Sequence, residues 1–329
     1  MSFSKIPATY ASIRKPLIYE FEAGKLVASI ELRIIHNQQT LGRCIFRKTD
    51  RCTCDISPYL DQIAPPCPSP RTTGFYPADE FQIGIEVEAH IRPLATSVDP
   101  KPEPIINHAP KRIFLWGNAS LHDCLLSSLP SSRLIAQGEY EQLLFILATP
   151  QRFTLSINSA PQPEKVDLGI APKGLVQFIL AADDFPKAES ITLCWNDRPT
   201  CSFLRIHRPQ GSVRVAWLSE AGSIEQYTFP TVAKRTLQIQ KTRIHTPNNI
   251  RLRSSATQLT TLRSAYETDD WIEAIADIAR SESVWRILPE REPQPLLVHT
   301  NQLTTHRHGT LSCIELDVSS AQNPDSQWN

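Results

Sequence analysis

Hydrophobic residues recur along much of this chain at every second position, the period of a pleated strand with one covered face. The run FQIGIEVEAHI is the cleanest instance. Phe81, Ile83, Ile85, Val87, Ala89 and Ile91 fall on one side, and Gln82, Glu86, Glu88 and His90 on the other. Leu17, Tyr19 and Phe21 start a similar run that continues from Leu26 to Ile35. Between Gly211 and Pro230, two short alternating runs flank the small-residue stretch Ser219 to Ser223, which predicts a β-hairpin. Val213, Val215 and Trp217 share one face of its first strand, Arg214 and Ala216 take the other, and Tyr227 and Phe229 resume the alternation after the turn.

Further apolar runs of strand length, KRIFLW, EYEQLLFIL, RFTLSI, GLVQFIL, SITLCW and SFLRIH, are separated by Pro, Asp, Ser or Gly. VWRIL, PLLVH and TLSCIELDV return to the same character near the C-terminus. Helical spacing is rarer. Trp271, Ile272, Ile275, Ile278 and Ala279 form one stripe behind Thr268 or Asp269 as a cap, predicting a helix over 269–281. A short helix is expected over Ala119 to Leu129. The fold class is therefore mainly β, with two or three sandwich-like domains and a few short helices.

Proline marks the joints. The alternation Asp99-Pro100-Lys101-Pro102-Glu103-Pro104 cannot enter a sheet interior and sets the best boundary, and Arg208-Pro209-Gln210-Gly211 offers a second. The domains expected are 1–98, 105–208 and 211–329. The Pro-rich stretch from Ala64 to Gly74 reads as a long exposed loop, and the polar end from Ser319 as a loosely held tail.

Charge and composition narrow the function. The chain holds 34 Lys and Arg against 34 Asp and Glu, so it lacks the overall basic excess of a duplex-binding protein, and nucleic acid is not expected as its main partner. No secretory leader and no membrane span is read in it, and synthesis and retention in the cytoplasm are expected unless it leaves within a particle. The eight cysteines follow no regular framework and read as free thiols. With 27 prolines and 11 glycines, the loops are expected to be stiff.

Candidate chemistry is sparse. His306 and His308 would share one face of a strand and could offer two metal ligands, but two do not close a coordination sphere, and a solvated strand is the favoured reading. Cys52 and Cys54 share a face near Cys67 without zinc-knuckle spacing. Asp183 and Asp184 diverge on an extended chain and suit a turn before Pro186 better than acid–base work. Serine-hydrolase elbows, phosphate-binding glycine loops and H-E-x-x-H are all missing, so neither catalysis nor a cofactor is expected. Trp195, Trp217, Tyr227, Trp271 and Trp285 could stack on sugars but suit cores or subunit interfaces better.

Four segments taken in order, CDISPYL (Cys54 to Leu60), KRIFLWGNASLHDCLLS (Lys111 to Ser127), WLSEAGSIEQYTF (Trp217 to Phe229) and SESVWRILPE (Ser281 to Glu290), resemble β-rich tail or baseplate structural proteins of phages and phage-like elements of gut bacteria. The resemblance spans most of residues 10 to 318 and departs from the pattern at Ala221-Gly222-Ser223 and in the Pro-rich loop. It implies a particle component that self-associates and docks with other tail proteins, with no catalytic residue to transfer. Trp217, Tyr227 and Phe229 would then anchor the last domain or an interface. The alternative is a glycan-binding module or adhesin that uses surface aromatics.

Overall fold

A computed structural model describes the chain except residues 96–101, 118–123, 160–161, 247–248, 289–290 and 322–329. Strand accounts for 60% of the protein and helix for 8%, which places it in the mainly β class that the alternation predicts. It divides into two compact units, Met1–Pro66 with Ala78–Cys124, and Cys67–Pro77 with Leu125–Asn329. The stretches 105–208 and 211–329 thus fall largely within one compact unit, and the Pro-rich loop carries the chain from one unit into the other. That loop is only partly exposed, because Pro66 and Pro68 are buried.

The first unit is a single six-stranded sheet built on a long hairpin, Ile18–His36 against Gln39–Asp55. Its two-residue turn, Asn37-Gln38, has φ of 46° and 65°, the left-handed pair that matches strand twist. Farther along, the register breaks between Glu22 and Val27, near Gly24 at φ 74° and Lys48 at φ 49°. Such bulges bend a strand pair and increase its curl. Gln82–Arg92 pairs with Ile18–His36, and Ile83, Ile85, Val87, Ala89 and Ile91 are buried as the alternation requires. Phe81 is buried too, but it ends a one-turn 3-10 helix, Asp79–Phe81, that leads into the strand.

The second unit holds three sheets. Gly74–Pro77, Gly174–Ala181, Tyr140–Leu147 and Cys124–Leu126 make a four-stranded sheet. Glu164–Ala171, Gln151–Asn158, Ser190–Trp195, Arg198–Ile206 and Ser132–Ala136 make a five-stranded one, whose last pair is parallel. Both sheets supply one core: Leu143, Phe145 and Phe178 come from the first, and Phe153, Leu193 and Phe203 from the second. A helix over Ala119 to Leu129 is not what forms. Cys124–Leu126 is a strand, Ser128 and Leu129 give their amides to the Glu225 carboxylate instead of to a helical ladder, and 119–123 lie outside the described residues.

The eight-stranded C-terminal sheet begins with the predicted hairpin. Val213–Leu218 pairs with Ile224–Phe229 in register from Val213↔Phe229 to Leu218↔Ile224, leaving Ser219 to Ser223 as the turn. Ser219 accepts the Gly222 amide and gives its own to Ser223, and Gly222 sits at φ 86°. The predicted helix runs Asp269–Ala276 and continues as a 3-10 turn to Arg280. Thr268 takes the cap conformation, and Ile272, Ile275 and Ile278 are buried against Trp217, Phe229 and Leu316. Residues 319–321 of the polar end are described; the rest of it lies outside the described residues.

Candidate functional site

Trp217 and Phe229 are fully buried in the core of the second unit, and Tyr227 is nearly so. The Tyr227 hydroxyl donates to Glu267 at 2.9 Å and accepts the Ala265 amide at 3.1 Å. Burial pushes the pKa of both the phenol and the Glu267 carboxyl upward. These three aromatics therefore act as core anchors within one chain. Trp195 stacks on Phe153 at 5.6 Å in the sandwich core, Trp271 lies 5.9 Å from Tyr227, and Trp285 is buried. Four of the five aromatics considered for sugar stacking are thus divided between two cores, and the fifth, Trp285, is buried as well.

His306 and His308 stand on the exposed strand Thr305–His308, opposite Cys313 and Leu311. The His308 ring lies 5.8 Å from Tyr266. Among the described residues, no group of three or more His, Cys, Asp or Glu side chains is arranged to hold a metal. Asp183 and Asp184 occupy a 3-10 turn, Ala182–Asp184, where they accept the amides of Gly138 and Thr73 respectively. Cys67 belongs to the second unit, and Cys52 and Cys54 belong to the first.

The densest cluster of charge is one that strand patterns do not reveal. Arg214, on the second face of the predicted hairpin, is 1% exposed, and every N–H of its guanidinium is used. Nε donates to Gln226, Nη1 to Glu139 and Thr228, and Nη2 to Glu141 and the Tyr140 carbonyl. Arg133 joins through Glu141, the Pro130 carbonyl and Ser127. Burial opposes charge on Arg214, yet Glu139 and Glu141 outweigh it and hold its pKa above the ordinary value. Glu225 accepts from Ser127, from Ser128 twice and from Leu129, while burial pushes its pKa up. Every charge here faces another side chain or the backbone, so the cluster is a fastening and leaves no acid or base open to a substrate.

The surface feature that stands out is the ribbon formed by Thr231–Thr246 and Asn249–Arg263. The two strands pair over their whole length, whereas only Thr260–Arg263 continue into the body of the sheet, against Glu315–Val318. From Thr236↔Leu259 to Thr246↔Asn249 the pair stands alone among the described residues, roughly 35 Å at about 3.4 Å per residue. Thr231–Thr246 is a terminal strand of the sheet, so among the described residues its outer edge is unpaired. Arg235, Leu237, Ile239, Lys241 and Arg243 share one face of it by alternation and are exposed, Leu237 to 61% and Ile239 to 53%.

Charge is concentrated here. Residues 231–266 hold Lys234, Arg235, Lys241, Arg243, Arg251, Arg253 and Arg263 and no Asp or Glu. The chain as a whole balances 34 against 34, so the remainder is acidic by the same margin of seven. The neutral total concealed this division. A window free of acidic residues was the available sequence signal.

No helix among the described residues is long and apolar enough to cross a membrane. Compared with family models and with curated proteins, the chain matches none.

Proposed function

We propose that this protein is a structural subunit of a phage-like tail, baseplate or related particle and acts by docking with copies of itself and neighbouring particle proteins. The observation that carries this reading is the basic ribbon with its open edge. A two-stranded ribbon alone in water is marginally stable, and an unpaired edge with exposed Leu and Ile beside it is a template for another strand. A second copy of the chain is the occupant that fits best, because the ribbon's positive excess of seven meets an equal negative excess on the rest of each copy. Edge pairing would supply the main-chain hydrogen bonds, and the opposite charges would orient the approach.

Light scattering on the full chain, read at low and at high salt, tests this. A mass above one chain that falls as salt rises, and that also falls when Lys234, Arg235, Lys241 and Arg243 are changed to Glu, is the expected result. A single-chain mass at all concentrations contradicts the reading. So does a ribbon that leaves the mass unchanged but binds duplex DNA with a steep salt dependence, which would make the arm a polyanion reader.

A further inference from the structure

In the N-terminal unit, the Sγ atoms of Cys44 and Cys54 lie 2.7 Å apart. Ten residues of straight strand would separate them by roughly 33 Å, so their meeting is produced by the bend of the hairpin near Gly24 and Lys48. We propose that Cys44 and Cys54 form a modification site, a thiol pair that a peroxide converts into a disulfide stapling the bent hairpin to itself. The pair is already close to the S–S bond length of about 2.05 Å.

The surroundings hold the pair in place. Cys54 and Cys52 are each 5% exposed and face the core, whereas Cys44 is half-buried and reachable from solvent. The Tyr59 hydroxyl lies 3.0 Å from the Cys44 sulfur. Its ring rests on Gly42, where an added Cβ would come within 2.1 Å of Tyr59 Cδ1, so a glycine at that position is what lets the phenol reach the thiol. Asp55 accepts the amides of Leu17 and Ser57 and the Ser57 hydroxyl, fixing the turn that delivers Tyr59. Burial, reinforced by Cys44 itself, pushes the Cys54 thiol pKa up. Cys44 is the more exposed of the two and is therefore the sulfur that meets an oxidant first.

The chemistry balances with hydrogen peroxide as the oxidant. The Cys44 thiolate attacks one peroxide oxygen and the O–O bond breaks, giving a sulfenic acid and a hydroxide that takes the thiol proton to become water. Cys54 Sγ then attacks the Cys44 sulfur and the S–O bond breaks. The departing hydroxide leaves as a second water with the Cys54 proton. Two thiols lose two electrons in all, and the peroxide gains them.

The test is native treatment of the full chain with hydrogen peroxide, followed by trypsin without reductant and mass spectrometry. Arg47, Lys48 and Arg51 separate the two cysteines, so a link joins two distinct peptides. The expected result is a link that fragmentation of the peptide 52–71 places at Cys54, that dithiothreitol reverses, that survives in Cys52→Ser and that is lost in Cys44→Ser and in Cys54→Ser. Oxidation of Cys44 to sulfinic or sulfonic acid with no linked peptide overturns the proposal. So does a link scattered among Cys52, Cys67 and other thiols.

Discussion

Arg214 Nη2 lies 2.5 Å from Glu141 Oε1, an ion pair in which both side chains are almost completely buried. Glu139 stands 3.1 Å from the same guanidinium, and Glu141 also holds Arg133 at 3.2 Å. The pair joins the C-terminal hairpin to the strand Tyr140–Leu147 of the sandwich, which gives the second unit a polar seam between its two apolar cores.

Removing the central cation should strand two buried carboxylates. Arg214→Met is expected to cost about 3–5 kcal/mol of unfolding free energy, since breaking a buried pair from one side leaves the other charge uncompensated. Arg214→Lys keeps the charge but has three donors for five acceptors, so an intermediate loss is expected. Urea denaturation of both variants measures this, and an unchanged midpoint for Arg214→Met would show that the seam adds nothing.

Glu225 gives the seam a pH signature. Its folded pKa is raised by burial, so the folded chain binds a proton more tightly than the unfolded one. The stability it contributes is complete below the ordinary carboxylate value and is lost as pH rises through the folded value. Glu225→Gln should flatten the fall in stability above about pH 4.5, the ordinary carboxylate range. Denaturation midpoints across pH compare the two chains, and identical slopes would count against the assignment.

Phe229→Ala should cost about 3–5 kcal/mol through lost burial and an unfilled cavity. Because Phe229 is fully buried within one chain, the same variant should leave the solution mass unchanged under conditions where it remains folded. A drop in mass without a drop in stability would place Phe229 at a subunit contact instead.

Gly42→Ala should destabilise the N-terminal unit by about 1–3 kcal/mol, the usual cost of overpacking. The three atoms nearest to the new methyl all belong to the Tyr59 ring, so the double variant with Tyr59→Ala should lose little more than Tyr59→Ala by itself. Strict additivity in the thermal midpoints would mean that the ring is elsewhere.

Local pattern was enough for the strand from Gln82 and the helix behind Thr268, where burial followed the period, and for the strand pairing of the hairpin at 211–230, although both faces of that hairpin are buried. It failed at Ala119 to Leu129, where Glu225, almost a hundred positions away, takes the amides that a helix would have used. The second face of the hairpin was equally out of reach. Arg214 there looks like any solvent-facing residue until Glu139 and Glu141 are brought against it from more than seventy positions away. The Cys44–Cys54 approach depends on a bend, and residues ten apart on a strand give no hint of meeting. The ribbon's charge was legible all along, in a window narrower than the whole-chain count.

The measurement closest to the central claim is amide hydrogen exchange over residues 231–246 at two widely separated protein concentrations. If the open edge is completed by another copy, the outward-facing amides of that strand become protected as concentration rises, while those paired with 249–263 change little. Rapid exchange of the outward amides at both concentrations would contradict the account.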